Sequence, residues 1–285
     1  MYFDIAMPLT LLAVTLASMF LNQKTEEKLK GTMEERQLGI WDAVLLVGVM
    51  AVMVYLIIYV KDINLILMAL FLFAYSTLLF TFSYLFSKNR WYIGIIPPAV
   101  FVLLFAFLRD TWFWTYILSN VYALAFAVLI TLYLVSLFTW KTTAIFGVLL
   151  TAMDIVLVFI TGTMVQAAKV TTGLRLPVMV SVPLIPLLYI DSNLTLMSLG
   201  LGDFFFAGLL AVQTYKRYGR RFALIAAVCM TISFFIFEVF ILNFMRTPFA
   251  GTVMIITGWA PLVIGKELFD RRSRREIDSG LAAQK

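Results

Sequence analysis

The chain has 285 residues, of which 62% are hydrophobic and only 13% charged, with a mean hydropathy of +0.98; one core of this size could not hide that much apolar surface, which excludes a water-soluble globule. The single cysteine, Cys229, excludes a disulfide framework and a cysteine-based metal site, and the absence of histidine excludes histidine-zinc protease motifs and Ser-His-Asp triads. With a net charge of +6 gathered in clusters between apolar runs, the sequence describes an all-α polytopic membrane protein whose acid–base chemistry must come from carboxylates.

A spanning helix requires about 20 mainly apolar residues. Cutting the chain at its charged and turn-forming clusters predicts nine, over residues 3–21, 41–60, 63–86, 92–109, 113–139, 142–168, 194–214, 221–244 and 247–265. In the first, Asp4 precedes the apolar run and Lys24, Lys28 and Lys30 follow it. A cleavable signal carries its positive charge in front, so this segment is expected to remain as a spanning helix. Trp41, Trp91, Trp112, Trp114 and Trp140 fall near predicted ends, where amphipathic rings sit at the headgroup level.

Nine spans put the two termini on opposite sides. Of the 22 Lys and Arg residues, 17 fall on the side of the C-terminal tail, and the other side holds Lys61, Arg109, Lys169, Arg175 and Arg246. Positive charge accumulates on the cytoplasmic side, so the tail is predicted to be cytoplasmic and the N-terminus outside, in the cell membrane of a prokaryote or in an internal membrane. The Arg271, Arg272, Arg274 and Arg275 cluster then anchors the topology; binding of anionic lipid is its second reading. The chain divides into a five-span scaffold (1–140), a four-span part (141–265) that carries the acids taken up next, and a basic tail (266–285). No residue of the scaffold identifies a substrate.

The sixth and seventh predicted spans each carry a carboxylate, Asp154 and Asp203, at membrane depth. Burying one costs roughly 2.5 to 3.5 kcal/mol even on a lenient scale, and neither span has a basic residue at similar depth to pair with it. On antiparallel neighbouring helices both can face one cavity. Two close carboxylates cannot both ionise, so they share a proton. That pair can activate water: the ionised member takes a proton from it, and the protonated member polarises a carbonyl oxygen. No metal or organic cofactor is required. Gly200 and Gly202, flanking Leu201 just before Asp203, are expected to allow close approach of backbones, although glycine at helix contacts is common in membranes anyway.

Between these spans, Val170 to Asp191 is too long for a tight turn and holds prolines at 177, 183 and 186 among β-branched residues, which suits an extended or interfacial segment. Two readings remain open: a membrane-lying connector handling substrate, with Leu176, Pro177, Val178, Met179 and Val180 as the contact strand, or a partly re-entrant loop with no such role. Glu238, a third intramembrane acid, is expected to snorkel or to pair with Arg246. Thr161, Thr163 and Gln166 either line a water path or bond carbonyls of their own helix.

Span six contains Asp154, Val158-Phe159, Thr161, Met164-Val165 and Ala168-Lys169, and span seven contains Gly200-Leu201-Gly202-Asp203. Together these resemble the presenilin and signal peptide peptidase family of GxGD intramembrane aspartyl proteases, in particular the signal peptide peptidase branch and its archaeal homologues. The likeness covers mainly residues 140–265. It implies a nine-helix presenilin-like fold, Asp154 and Asp203 as the catalytic pair, and Gly200, Leu201 and Gly202 shaping the site. Two departures stand out. Met153 occupies the place of the family's tyrosine before the first aspartate, and Pro248-Phe249-Ala250 is the nearest counterpart of the Pro-Ala-Leu motif that opens the ninth span.

A cytoplasmic C-terminus matches the signal peptide peptidase polarity, implying substrates with a cytoplasmic N-terminus: signal-peptide remnants and type II membrane proteins. The expected partners are those transmembrane peptides and the lipid bilayer, with no nucleic acid and no obligate protein partner. The alternative is a proton- or cation-coupled transporter, since mid-membrane carboxylates also serve as ion relays. Transporters often show related halves, and no repeat is evident here.

Overall fold

The structure, a computed structural model, describes residues 2–30, 37–59, 63–87, 90–187, 189–190, 193–245 and 248–282. Arg36, Lys61, Lys88, Asp191, Arg246 and Lys285 lie outside the described residues. The helices are α1 Ala6–Lys30, α2 Ile40–Tyr59, α3 Ile63–Phe86, α4 Trp91–Gly94, α5 Ile96–Leu108, α6 Ser119–Val135, α7 Trp140–Ile155, α8 Thr163–Gly173, α9 Leu201–Tyr218, α10 Arg220–Phe240 and α11 Gly251–Ala282. Strands β1 Met179–Pro183, β2 Tyr189–Ile190, β3 Asn193–Leu194 and β4 Leu196–Gly200 lie between α8 and α9. Three π-helical turns, Trp114–Leu118, Val156–Ile160 and Ile241–Met245, precede α6 and prolong α7 and α10.

Eight of the helical segments are long and apolar enough to cross a membrane. Their outer faces present large side chains such as Leu65, Phe73 and Phe107, 70%, 72% and 79% exposed, as a lipid-facing surface does. The chain is an all-α polytopic membrane protein. The segment predicted over 194–214 differs from the other eight. Its first residues are strand, and its helix, α9, begins only at Leu201 and includes Asp203, Lys216 and Arg217 in 18 residues.

α9 is the centre of the bundle. It packs against α1, α6, α7, α10 and α11, and every residue from Phe204 to Thr214 is buried. A helix enclosed on all sides by protein needs no lipid-facing apolar stripe. Its polar groups are matched internally instead: Gln213 Nε2 donates to the Phe138 carbonyl at 2.7 Å, and Trp259 Nε1 donates to Thr214 Oγ1 at 2.8 Å. α1, although first in the chain, packs against α9 and α10.

Two predicted spans change shape for local reasons. Pro97 and Pro98 lack amide donors and are tolerated only in a first turn, so the segment over 92–109 divides at Ile95 into α4 and α5. The segment over 142–168 ends at Ile160, because Gly162 takes a left-handed backbone (φ 65°) and starts the separate helix α8. Among the tryptophans, Trp41, Trp91 and Trp112 are exposed near helix ends, but Trp114 is fully buried, with Nε1 donating to the Arg175 carbonyl at 2.9 Å.

The charges collect at two ends. Lys216 pairs with Glu26 at 3.0 Å, and Arg217 pairs with Glu267 at 3.0 Å while lying over the Trp140 ring. These contacts join the C-terminal ends of α1, α9 and the apolar part of α11 to the start of α7. At the opposite end, Asp110 pairs with Arg109 and Arg175.

Candidate active site

Three helices bring the site together. α7 starts in a capping box, with Thr142 N donating to Thr139 Oγ1 and Thr139 N donating to Thr142 Oγ1, which fixes its first turn. At roughly 1.5 Å per residue, Asp154 lies about 21 Å from Trp140, Asp203 about 20 Å from Lys216, and Thr252 about 21 Å from Lys266. Since Trp140, Lys216 and Lys266 mark one end of the bundle, all three residues stand at one depth. Asp154 is buried, 6% exposed, and Asp203 is half-buried. The two carboxyls are close enough to act on each other electrostatically.

The sequence spacing around Asp203 explains its local geometry. Gly200 is extended and caps α9, and Asp203, third residue of the helix, folds back towards it, with Oδ2 3.4 Å from where a Gly200 Cβ would be. The third component is the start of α11. Thr252 Oγ1 donates to Asp154 Oδ2 at 2.7 Å. Gly251 lies flat against Asp203: a Cβ there would fall 2.5 Å from Oδ1 and 2.6 Å from Cγ. One dipeptide therefore touches both acids.

Pro248-Phe249-Ala250 leads directly into that dipeptide. Ala250 is buried, and the Phe249 ring packs edge-on against Phe159 (4.8 Å between centroids) and near Phe237 (5.5 Å), joining the end of α7 to α10. Gly251 and Thr252 were not singled out from the sequence, although they adjoin the segment that was. Gly202 behaves differently from the expectation: it is exposed, and nothing lies within 4 Å of where its Cβ would be. The close-approach glycine is Gly251. The flank beyond Asp154 is also open, since Ile155, Val156 and Phe159 are 40%, 43% and 45% exposed.

The connector forms an antiparallel hairpin, with Met179 opposite Gly200 and Pro183 opposite Leu196. The Leu201 amide donates to the Val178 carbonyl at 3.1 Å, so the ladder runs on into the first residue of α9 and ties the Asp203 helix to β1. The residues expected to contact a substrate strand are used internally. Leu176 and Val180 are buried, the Pro177 carbonyl accepts from the Tyr75 hydroxyl at 3.2 Å, and Met179 pairs with Gly200.

β1 is closed on its outer side as well. Asn120 of α6 donates to the Ser181 carbonyl and accepts from the Ser181 amide, both at 2.8 Å. Ser181 and Ser198 are opposite each other, with their hydroxyls 2.7 Å apart. Because the backbone groups of Ser181 point outward to Asn120, those of Ser198 point outward on the other side. There Leu196 and Ser198 are exposed, and the outer edge of β4 is open among the described residues.

Thr161 Oγ1 donates to the carbonyls of Val156 and Leu157, both at 3.3 Å, consistent with backbone bonding within its own segment. Glu238 does not snorkel. It is fully buried, because α10 continues past it to Phe240 and then through the π turn, and it lies beside Asp4; its expected partner Arg246 lies outside the described residues. No group of three or more metal-ligating side chains is found among the described residues.

Compared with known proteins, the chain matches no family model and no curated protein.

Proposed function

We propose that the protein is an intramembrane aspartyl endopeptidase of the presenilin and signal peptide peptidase type, with nine spans, α9 being the additional one. The observation that carries this reading is the placement of Asp154 and Asp203 at one depth, coupled to each other and joined by the Gly251-Thr252 start of α11. A structural carboxyl pair has no need of an open flank, yet here Gly202 and the π turn after Asp154 leave one.

One carboxylate takes a proton from a water as it attacks the scissile carbonyl, and the other carboxyl gives its proton to the carbonyl oxygen. The reaction needs an unwound substrate, because carbonyls within a helix are screened by intrahelical bonding. The outer edge of β4 supplies the means. An extended peptide adds there as a third strand and is led along Leu196 to Gly200 towards Asp203. The basic end of the bundle is cytoplasmic and the N-terminus outside, so the substrates are signal-peptide remnants and type II membrane proteins. The single chain acts without an obligate partner.

The test is cleavage of a labelled single-span type II peptide by the purified protein in lipid vesicles, beside Asp154→Asn and Asp203→Asn variants. Cleavage within the span by the parent, lost in both variants, is expected. A parent inert towards peptides of both orientations, but moving protons or cations in an aspartate-dependent way, would replace this reading with a transporter.

A further inference from the structure

The five-span scaffold grips β1 and the chain leading into it by their main-chain groups. The Trp114 indole donates to the Arg175 carbonyl at 2.9 Å and the Tyr75 hydroxyl to the Pro177 carbonyl at 3.2 Å, both from buried rings. Beyond β1, Asp4 accepts from the Ile185 amide at 2.8 Å. Asn120 of α6 holds the middle of the strand: its Nδ2 donates to the Ser181 carbonyl and its Oδ1 accepts from the Ser181 amide, both at 2.8 Å. The second Nδ2 hydrogen goes to the Tyr116 carbonyl at 3.0 Å, one turn back. These three bonds fix which end of the amide faces which partner, and the side chain cannot turn without breaking them. Asn120 thus pairs with Ser181 as a neighbouring strand would. A two-stranded hairpin is marginal alone, so β4, bonded along its inner edge to β1, takes its place from β1.

Taking strand addition at β4 and the two-aspartate hydrolysis proposed above as given, we propose that Asn120 is a positioning residue that selects which peptide bond of the substrate reaches Asp154 and Asp203. It acts through a line of neighbours: Asn120 holds Ser181, Ser181 stands opposite Ser198, and the outward groups of Ser198 hold the added strand. The hairpin is also rooted in the site, since Gly200 leads straight into α9 and Asp203 is the third residue of that helix. With the middle of β1 pinned, the outer edge of β4 has one position relative to the acids, and the added strand has one register. Without the pin, β1 bows away from α6 and carries β4 with it. The root at Gly200 stays while the edge shifts, so neighbouring bonds of the substrate come level with the acids in turn.

The experiment maps by mass spectrometry the bonds cut in a single-span type II peptide by the full chain in lipid, with kcat and KM, for the parent, Asn120→Leu, Asn120→Asp, Gln213→Leu and Asp154→Asn. Leu removes both bonds to Ser181. Asp keeps the shape and the acceptor but sets an oxygen against the Ser181 carbonyl, and it decides alone if the Leu variant does not fold. The parent should cut one principal bond. Loss of one or two hydrogen bonds predicts that both Asn120 variants lower kcat/KM at that bond about tenfold while neighbouring bonds gain in share. Gln213→Leu breaks the buried bond to the Phe138 carbonyl, away from the hairpin, and should lower the thermal midpoint without moving the cut. With Asp154→Asn inactive, three results overturn the role of Asn120 and leave the protease reading standing: a parent without a principal bond, Asn120 variants that keep the parental pattern, or the same redistribution in Gln213→Leu. Cleavage persisting in Asp154→Asn would instead overturn the protease reading itself.

Discussion

At the scale of single residues, the site depends on what is missing from Gly251 as much as on what Asp203 supplies. Its Cα hydrogens face the carboxyl where any Cβ would overlap it. Gly251→Ala should displace Asp203 from Asp154, and a displacement of about 1 Å in a reacting group can cost roughly 100-fold in rate. Cleavage assays should show that loss in kcat, while Gly202→Ala, whose Cβ enters open space, should fold normally and affect only substrate binding. Similar losses in folding yield for both variants would show that neither position is special to the site. Met153 illustrates the opposite case. It is partly buried and packs against the core, which gives it a structural place beside Asp154 and no chemical one.

At the scale of elements, the hairpin and α9 act as one unit, because the β1 to β4 ladder continues through Leu201 to Val178. Ser198 divides the roles of the two edges: its neighbours Met197 and Leu199 bond inward to β1, and its own amide points out. Ser198→Pro therefore removes an outward donor while sparing the ladder. If a substrate strand adds there, loss of one backbone hydrogen bond of about 0.5 to 1.5 kcal/mol predicts a KM raised about two- to tenfold. Met197→Pro breaks an inward bond and should disrupt the hairpin, which limited proteolysis would detect. Unchanged KM in Ser198→Pro, with the hairpin intact, would place the substrate elsewhere. Asn120 occupies the competing edge, so a β1 strand that would otherwise accept peptide or a second copy is closed off.

At the scale of the whole molecule, one end is held by charge pairs and the other by a clasp. Asp4 accepts from the amides of Ala6 (2.9 Å) and Met7 (3.1 Å), capping α1, and from that of Ile185 (2.8 Å) in the connector, while Asn243 donates to the Tyr2 carbonyl (2.6 Å). Glu238 completes this clasp. Its carboxyl is buried beside Asp4, and neither of its oxygens has a hydrogen-bond partner among the described residues. Glu238→Gln keeps the shape of the side chain without an ionisable group beside Asp4 and should leave the thermal midpoint in detergent nearly unchanged. Glu238→Ala removes the partner and leaves a void, with an expected cost of about 1 to 3 kcal/mol. Equal destabilisation by Gln and Ala would show that the carboxyl itself, not its shape, is what this position requires.

The sequence by itself determined the membrane class, the position of most spans and both acids, because these follow from composition and apolar run length, which are local quantities. The Asp154 and Asp203 pair stood out for the same reason: a charge inside an apolar run is costly wherever the run goes. Local signals also misled. The stretch from Leu196 to Gly200 reads as part of a span, yet it is strand, since it pairs with Met179–Pro183 earlier in the chain and pairing has no local signature. Glu238 looked like an exposed helix-end acid, yet it is buried beside Asp4, more than two hundred residues away. Only the tertiary structure decided that Gly251 and Thr252, not Gly202, meet the carboxyls, and that β4, not β1, keeps an open edge. Each of these depends on which surfaces of distant segments face each other, a relation that no spacing along one chain specifies.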